Sequence, residues 1–117
     1  MERILLAEDD GDIRNLVRLA LRINGLGAEM VTDGVEAVAA AEVHAFELIL
    51  LDRQMPMMDG LEAAARIRES AENAQTPILF LSGESFDTST IENSTLLQKP
   101  FTIGELMQRI KLINEKE

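Results

Sequence analysis

A chain of 117 residues, 46% of them apolar, is about one domain, large enough to bury a core without staples. The absence of cysteine excludes disulfides and thiolate metal sites, and a net charge of −10 disfavours direct binding to nucleic acid, whose affinity comes from neutralising phosphates. No apolar run is long enough to span a bilayer, and Met1-Glu2-Arg3 leads into a run too short for a signal peptide, so a cytoplasmic location without membrane attachment is expected.

The pattern alternates strand and helix from end to end. A first strand, Arg3-Ile4-Leu5-Leu6-Ala7, runs straight into Glu8, Asp9 and Asp10. A helix follows whose Ile13, Leu16, Val17, Ala20 and Leu21 form one apolar stripe, and Asn24-Gly25 ends it. Arg14, Arg18 and Arg22 make the one local basic stripe, read as a solvated face with docking of an acidic partner as the alternative. Ala28 to Val31 is a short strand, and Asp33-Gly34 starts a second helix carrying Val35, Val38 and Ala39. His44, the only histidine, falls in a surface turn away from the acids.

Phe46-Glu47-Leu48-Ile49-Leu50-Leu51 is the run expected of a strand buried on both faces, and it ends at Asp52 and a turn, Gln54 to Gly60. The methionines Met55, Met57 and Met58 are read as packing that turn. Leu61, Ala64, Ala65 and Arg68 mark a third helix, and Ile78-Leu79-Phe80-Leu81 a strand ending at Ser82-Gly83. Glu84 to Ser94 is polar, without clear periodicity. Thr95-Leu96-Leu97-Gln98 is a fifth strand leading to Lys99-Pro100, and the final helix shows Ile103, Leu106, Met107, Ile110 and Ile113, ending at Glu117. Five strands alternating with helices predict an α/β fold: one doubly wound parallel sheet covered on both faces, in a single domain over residues 1–117.

In such a sheet the carboxyl ends of the strands line one crevice, which gathers Glu8, Asp9, Asp52, Ser82 and Lys99. Clustered carboxylates repel one another unless a divalent cation lies among them, and hard oxygen ligands suit Mg2+, with Mn2+ as an alternative. A lysine and a hydroxyl grip phosphoryl oxygens, and a carboxylate is a competent nucleophile for a phosphoryl group. Asp10, one place beyond the acid pair, reads as a helix cap.

These motifs, in order along nearly the whole chain, resemble the receiver domain of the two-component response-regulator family. Ile4 to Asp10 resembles its first strand and acid pair, Asp52 to Gly60 its phosphoacceptor turn, Ser82 its hydroxyl position and Lys99-Pro100-Phe101 its lysine-proline motif. The resemblance implies a flavodoxin-like strand order 2-1-3-4-5 and a signalling domain that assists its own phosphorylation and dephosphorylation, not an enzyme. It implies that Asp52 accepts a phosphoryl group from a histidine of a sensor kinase or of a histidine phosphotransfer protein. Asp9 would ligate Mg2+ directly, Glu8 mainly through water, with Asp52 and the backbone carbonyl of Gln54 as further ligands. Ser82 and Lys99 would bind the phosphoryl oxygens, and Lys99-Pro100 would be a cis peptide bond.

Ser82 and Lys99 are closer in sequence than is usual for the family, which predicts a shortened or irregular fourth helix: one or two turns, or a mobile loop. Leu96 stands where many relatives carry a switching aromatic ring, so a non-standard output is expected, through the Ser82 loop and the last helix. Gln54 and Glu84 border the expected path of hydrolytic water. Such features resemble receivers of hybrid sensor kinases and some single-domain regulators; with no effector domain after the last helix, the chain is either complete or an excised module.

The order of the motifs disfavours an aspartate-nucleophile phosphatase, which needs its nucleophile after the first strand. The presence of the acids, Asp52 and Lys99 disfavours a binding module of the same fold that is never phosphorylated. Acids after the first strand would repel the phosphate of a flavin.

Overall fold

The computed structural model describes residues 3–116. The lead-in Met1-Glu2 and the expected helix end at Glu117 lie outside the described residues. The elements are β1 (Ile4–Ala7), α1 (Gly11–Ile23), β2 (Ala28–Val31), α2 (Gly34–Val43), β3 (Leu48–Asp52), α3 (Gly60–Arg68), β4 (Ile78–Ser82), β5 (Ser94–Gln98) and α4 (Ile103–Lys116). All strand pairings are parallel, in the expected order β2-β1-β3-β4-β5.

Strand periodicity divides the core. Ile4 and Leu6, Leu48 and Leu50, Leu79 and Leu81 face α1 and α4, where Val17, Leu21, Leu106 and Ile110 meet them. Leu5, Ile49, Leu51, Ile78 and Phe80 face α2 and α3, against Ala37, Ala41, Ala63, Ala64 and Ile67. β1, β3 and β4 are buried throughout, which is why they read as unbroken apolar runs.

The helices correct the sequence reading in detail. Leu16 in α1 is 43% exposed, so the stripe consists of the buried Val17, Ala20 and Leu21 with Ile13 packed against the same core. α2 buries Gly34, Ala37 and Ala41, packs Val38 against the core as expected and leaves Val35 and Ala39 outside, because its apolar residues are spread around the helix and mark no single face. α3 buries Ala63 and Ile67 while Ala65 is exposed. A Cβ on Gly34 would lie 2.2 Å from the Met58 carbonyl oxygen, and one on Gly60 2.3 Å from that of Asp52. These helix starts therefore approach the β3–α3 turn as only glycine permits.

No helix forms between β4 and β5: of the two expected alternatives, one or two helical turns or a loop, the chain takes the loop. Hydrogen-bonded turns replace the helix: Ile91 N–H donates to the Thr88 carbonyl (3.0 Å), and the Ser94 hydroxyl to the Ile91 carbonyl (2.6 Å). Arg68 donates to the carbonyls of Glu92 and Asn93, and Phe86 stands edge-on to Phe80 with centroids 5.2 Å apart. A chain too short for a helix thus covers the sheet with Phe86 and the buried Ile91. On the open side of β5, the Arg109 guanidinium of α4 donates to the Leu96 carbonyl.

At the opposite end from the acids, the buried Asn73 accepts from Phe46 N–H (2.9 Å) and the Thr76 hydroxyl (2.9 Å) and donates to the carbonyls of Ala41 and His44 (2.7 Å each). His44 is exposed at the C-terminus of α2, as expected.

Candidate functional site

β1 is the topological switch point, since the chain winds to β2 on one side and to β3 on the other. Ala7 pairs with Leu51, Asp52 with Leu81, and Ser82 with Gln98. That register brings Glu8, Asp52, Ser82 and Lys99 to one sheet edge. A cavity of about 370 Å³ opens there, lined by Glu8, Asp9, Asp10, Ile13, Asp52, Gln54, Ser82, Gly83 and Lys99.

Every predicted site residue therefore reaches one place. Glu8 has no exposure, Asp52 and Ser82 are each 4% exposed, and Asp9 lies in solvent. Ligand oxygens of Glu8, Asp9 and Asp52 all lie within 4.8 Å of one another. Lys99 Nζ donates to Glu8 Oε1 at 2.9 Å and to Asp52 Oδ1 at 3.3 Å. The peptide bond from Lys99 to Pro100 is cis, as expected. Gln54 N–H donates to Asp52 Oδ1 (3.3 Å), and the Ser82 hydroxyl oxygen accepts from Glu84 N–H (3.1 Å).

Burial first, then the neighbouring Glu8 carboxylate, push Asp52 up to about 6, against the opposing pull of Lys99 and the Gln54 amide. Burial disfavours the Lys99 ammonium, but Glu8 and Asp52 outweigh it and hold its pKa above the ordinary value. Three acids facing one lysine leave an excess of negative charge that a divalent cation with hard oxygen ligands would neutralise. The donor set fits Mg2+.

Asp10 caps α1, its side chain accepting from Asp12 N–H and Ile13 N–H, as its position after the acid pair suggested. Two arginines join the site that the sequence did not assign to it. Arg14 turns out of the basic stripe to the carbonyls of Glu8 (2.9 Å) and Asp9 (3.4 Å). Arg53 pairs with Asp59 (3.4 Å) and lies 5.2 Å from the centre of the Phe86 ring. Its place beside Asp52 was the only sequence signal.

A flavodoxin-like sheet with an acid–lysine pocket at its switch point defines a phosphoacceptor signalling domain. The sequence matches the response regulator receiver domain family over residues 4–111, and the chain belongs to that family. The transcriptional regulatory protein TrcR of Mycobacterium tuberculosis is 34% identical, over 93% of this chain and 44% of its own length. RprY of Bacteroides fragilis is 34% identical over 95% of this chain and 48% of its own, so the chain spans about half the length of the curated relatives it matches. The fold superimposes on chemotaxis protein CheY4 of Vibrio cholerae with a TM-score of 0.90 at 30% identity, covering 97% of this chain and 98% of that one. The receiver domain of the sensor histidine kinase PA1611 of Pseudomonas aeruginosa matches with a TM-score of 0.88 at 29% identity, over 97% and 98% of the two chains. That structure carries a magnesium ion coordinated in its active-site cleft. Receiver domains interact with histidine kinases or phosphotransfer proteins and are signalling domains, not conventional enzymes. Among the described residues, no helix is long and apolar enough to cross a membrane.

Proposed function

We propose that the chain is one receiver domain over residues 1–117, in the cytoplasm, in which Asp52 accepts a phosphoryl group from a phosphohistidine of a sensor kinase or phosphotransfer protein. The observation that carries this reading is Lys99 Nζ between Glu8 and Asp52, with the Asp9 carboxylate beside them. An Asp52 oxygen attacks phosphorus, the P–N bond breaks, and the imidazole leaves with its electron pair and takes a proton from solvent. Lys99 then moves from carboxylate to phosphoryl oxygen, and the Ser82 hydroxyl turns from the Glu84 amide to donate to another.

Glu8, Asp9, Asp52 and the Gln54 carbonyl would hold Mg2+, or Mn2+ in its place; the bound cation would offset charge on the phosphoryl oxygens. The domain thus assists its own phosphorylation and, through water passing Gln54 and Glu84, its own dephosphorylation. Output runs through the helix-free β4–β5 segment, because Leu96 offers no switching ring and Phe86 occupies that side. The test is intact mass after incubation with Mg2+ and a small acyl phosphate. One phosphoryl adduct is expected on the wild type and none on Asp52→Asn; an unlabelled wild type, or a labelled variant, defeats the assignment.

A further inference from the structure

We propose that Arg14 is a positioning residue for the divalent cation, fixing the backbone of the acid loop while leaving the Asp9 carboxylate free to ligate. The inference rests on reading Glu8, Asp9 and Asp52 as the cation's ligands.

Arg14 lies one turn into α1, five residues from Asp9, where a guanidinium would ordinarily pair with a carboxylate. Instead a single nitrogen, Nη1, donates to two consecutive carbonyl oxygens, those of Glu8 at 2.9 Å and Asp9 at 3.4 Å. The other groups of the loop are already committed. Glu8 accepts from Lys99 Nζ (2.9 Å) and from Asp10 N–H (3.2 Å), and Asp10 is the helix cap. Among the described residues the Asp9 carboxylate alone of these three acids has no hydrogen-bond or ion-pair partner. The loop is therefore held through its backbone, and the Asp9 carboxylate, without such a partner among the described residues, lines the cavity together with Glu8 and Asp52. An arginine bound to carbonyls organises the acids without neutralising them. Outer groups of this kind orient ligands and commonly govern metal affinity about tenfold or more.

Charge and geometry make opposite predictions, which gives the test its direction. A guanidinium near a dication repels it, so removing Arg14 for its charge alone would tighten Mg2+ binding. Removing it as a positioning group weakens binding. Calorimetric titration with MgCl2 should give a Kd for Arg14→Ala about tenfold above wild type. Arg18→Ala, on the same stripe, should leave the Kd unchanged. In acyl-phosphate labelling, the Mg2+ concentration for half-maximal rate should rise in Arg14→Ala while the rate at saturating Mg2+ returns close to wild type. An equal or tighter Kd, or a rate that saturating Mg2+ does not restore, overturns the role of Arg14. Wild type that takes up no Mg2+ overturns instead the metal reading beneath it. Should Arg14→Ala fail to fold, Arg14→Lys carries the same test: weaker uptake supports the proposal, and unchanged uptake overturns it.

Discussion

The Lys99 ammonium lies 2.9 Å from a Glu8 carboxylate that has no exposure to solvent, and 3.3 Å from Asp52. One cation thus serves two buried acids, and its removal leaves both facing each other. Lys99→Ala is expected to cost about 2 kcal/mol without divalent cation, as for a broken buried pair that is partly wetted. Mg2+ should recover more stability in this variant than in wild type. Thermal melts with and without MgCl2 check this; equal increments in the two proteins would contradict it.

Asp52 carries a pKa raised from 3.8 to about 6, so the folded protein holds a proton there that the unfolded chain gives up. For a raised pKa the stabilising contribution is complete below the ordinary aspartate value and is lost as pH rises through 6. Mg2+-free wild type should therefore lose stability from this group between about pH 4 and pH 7, and Asp52→Asn should flatten that part of the profile. At pH 7.5 without Mg2+ the variant should be about 1 kcal/mol the more stable protein. Denaturant midpoints across pH test both; parallel profiles would refute the assignment.

Gly60 and Gly83 flank the same site under opposite constraints. A methyl group on Gly60 would collide with the Asp52 carbonyl at 2.3 Å, whereas nothing lies within 4 Å of one on Gly83. Gly60→Ala should lose about 3 kcal/mol of stability and much of its phosphorylation, and Gly83→Ala should fold normally. Urea midpoints paired with acyl-phosphate labelling distinguish them.

Phe86 touches Phe80 on one side and Arg53 on the other, and Arg53 directly follows the proposed phosphoacceptor. The chain has neither tryptophan nor tyrosine, so Phe86→Trp introduces its single indole. If output runs through the β4–β5 segment, acyl phosphate with Mg2+ should shift this fluorescence, and the shift should vanish when Asp52→Asn is added. An emission spectrum indifferent to phosphorylation would rule out this route.

The sheet and its acid, hydroxyl and lysine positions were legible because buried parallel strands read as unbroken apolar runs that end in polar residues. Glu8, Asp9, Asp52 and Ser82 each follow or end such a run, whereas Lys99 follows the short, half-exposed β5 and was marked by the proline after it. The helices were less legible. The apolar residues of α2 are spread around the helix, so nothing in its sequence singled out Ala37 and Ala41 over Val35 and Ala39. Arg14 looked like its stripe-mates Arg18 and Arg22, and only the fold shows that carbonyls attract it. Asn73 carried no signal, since the carbonyls and amide it bridges at Phe46, Ala41 and His44 are distant in the chain and only Thr76 is near.

A parallel sheet of this kind ends in a border strand, and here the segment before that strand has no helix to shield it. Arg109 occupies the Leu96 oxygen, one of the acceptors a foreign strand would need for docking. A bulky cation at that margin discourages runaway strand-to-strand assembly.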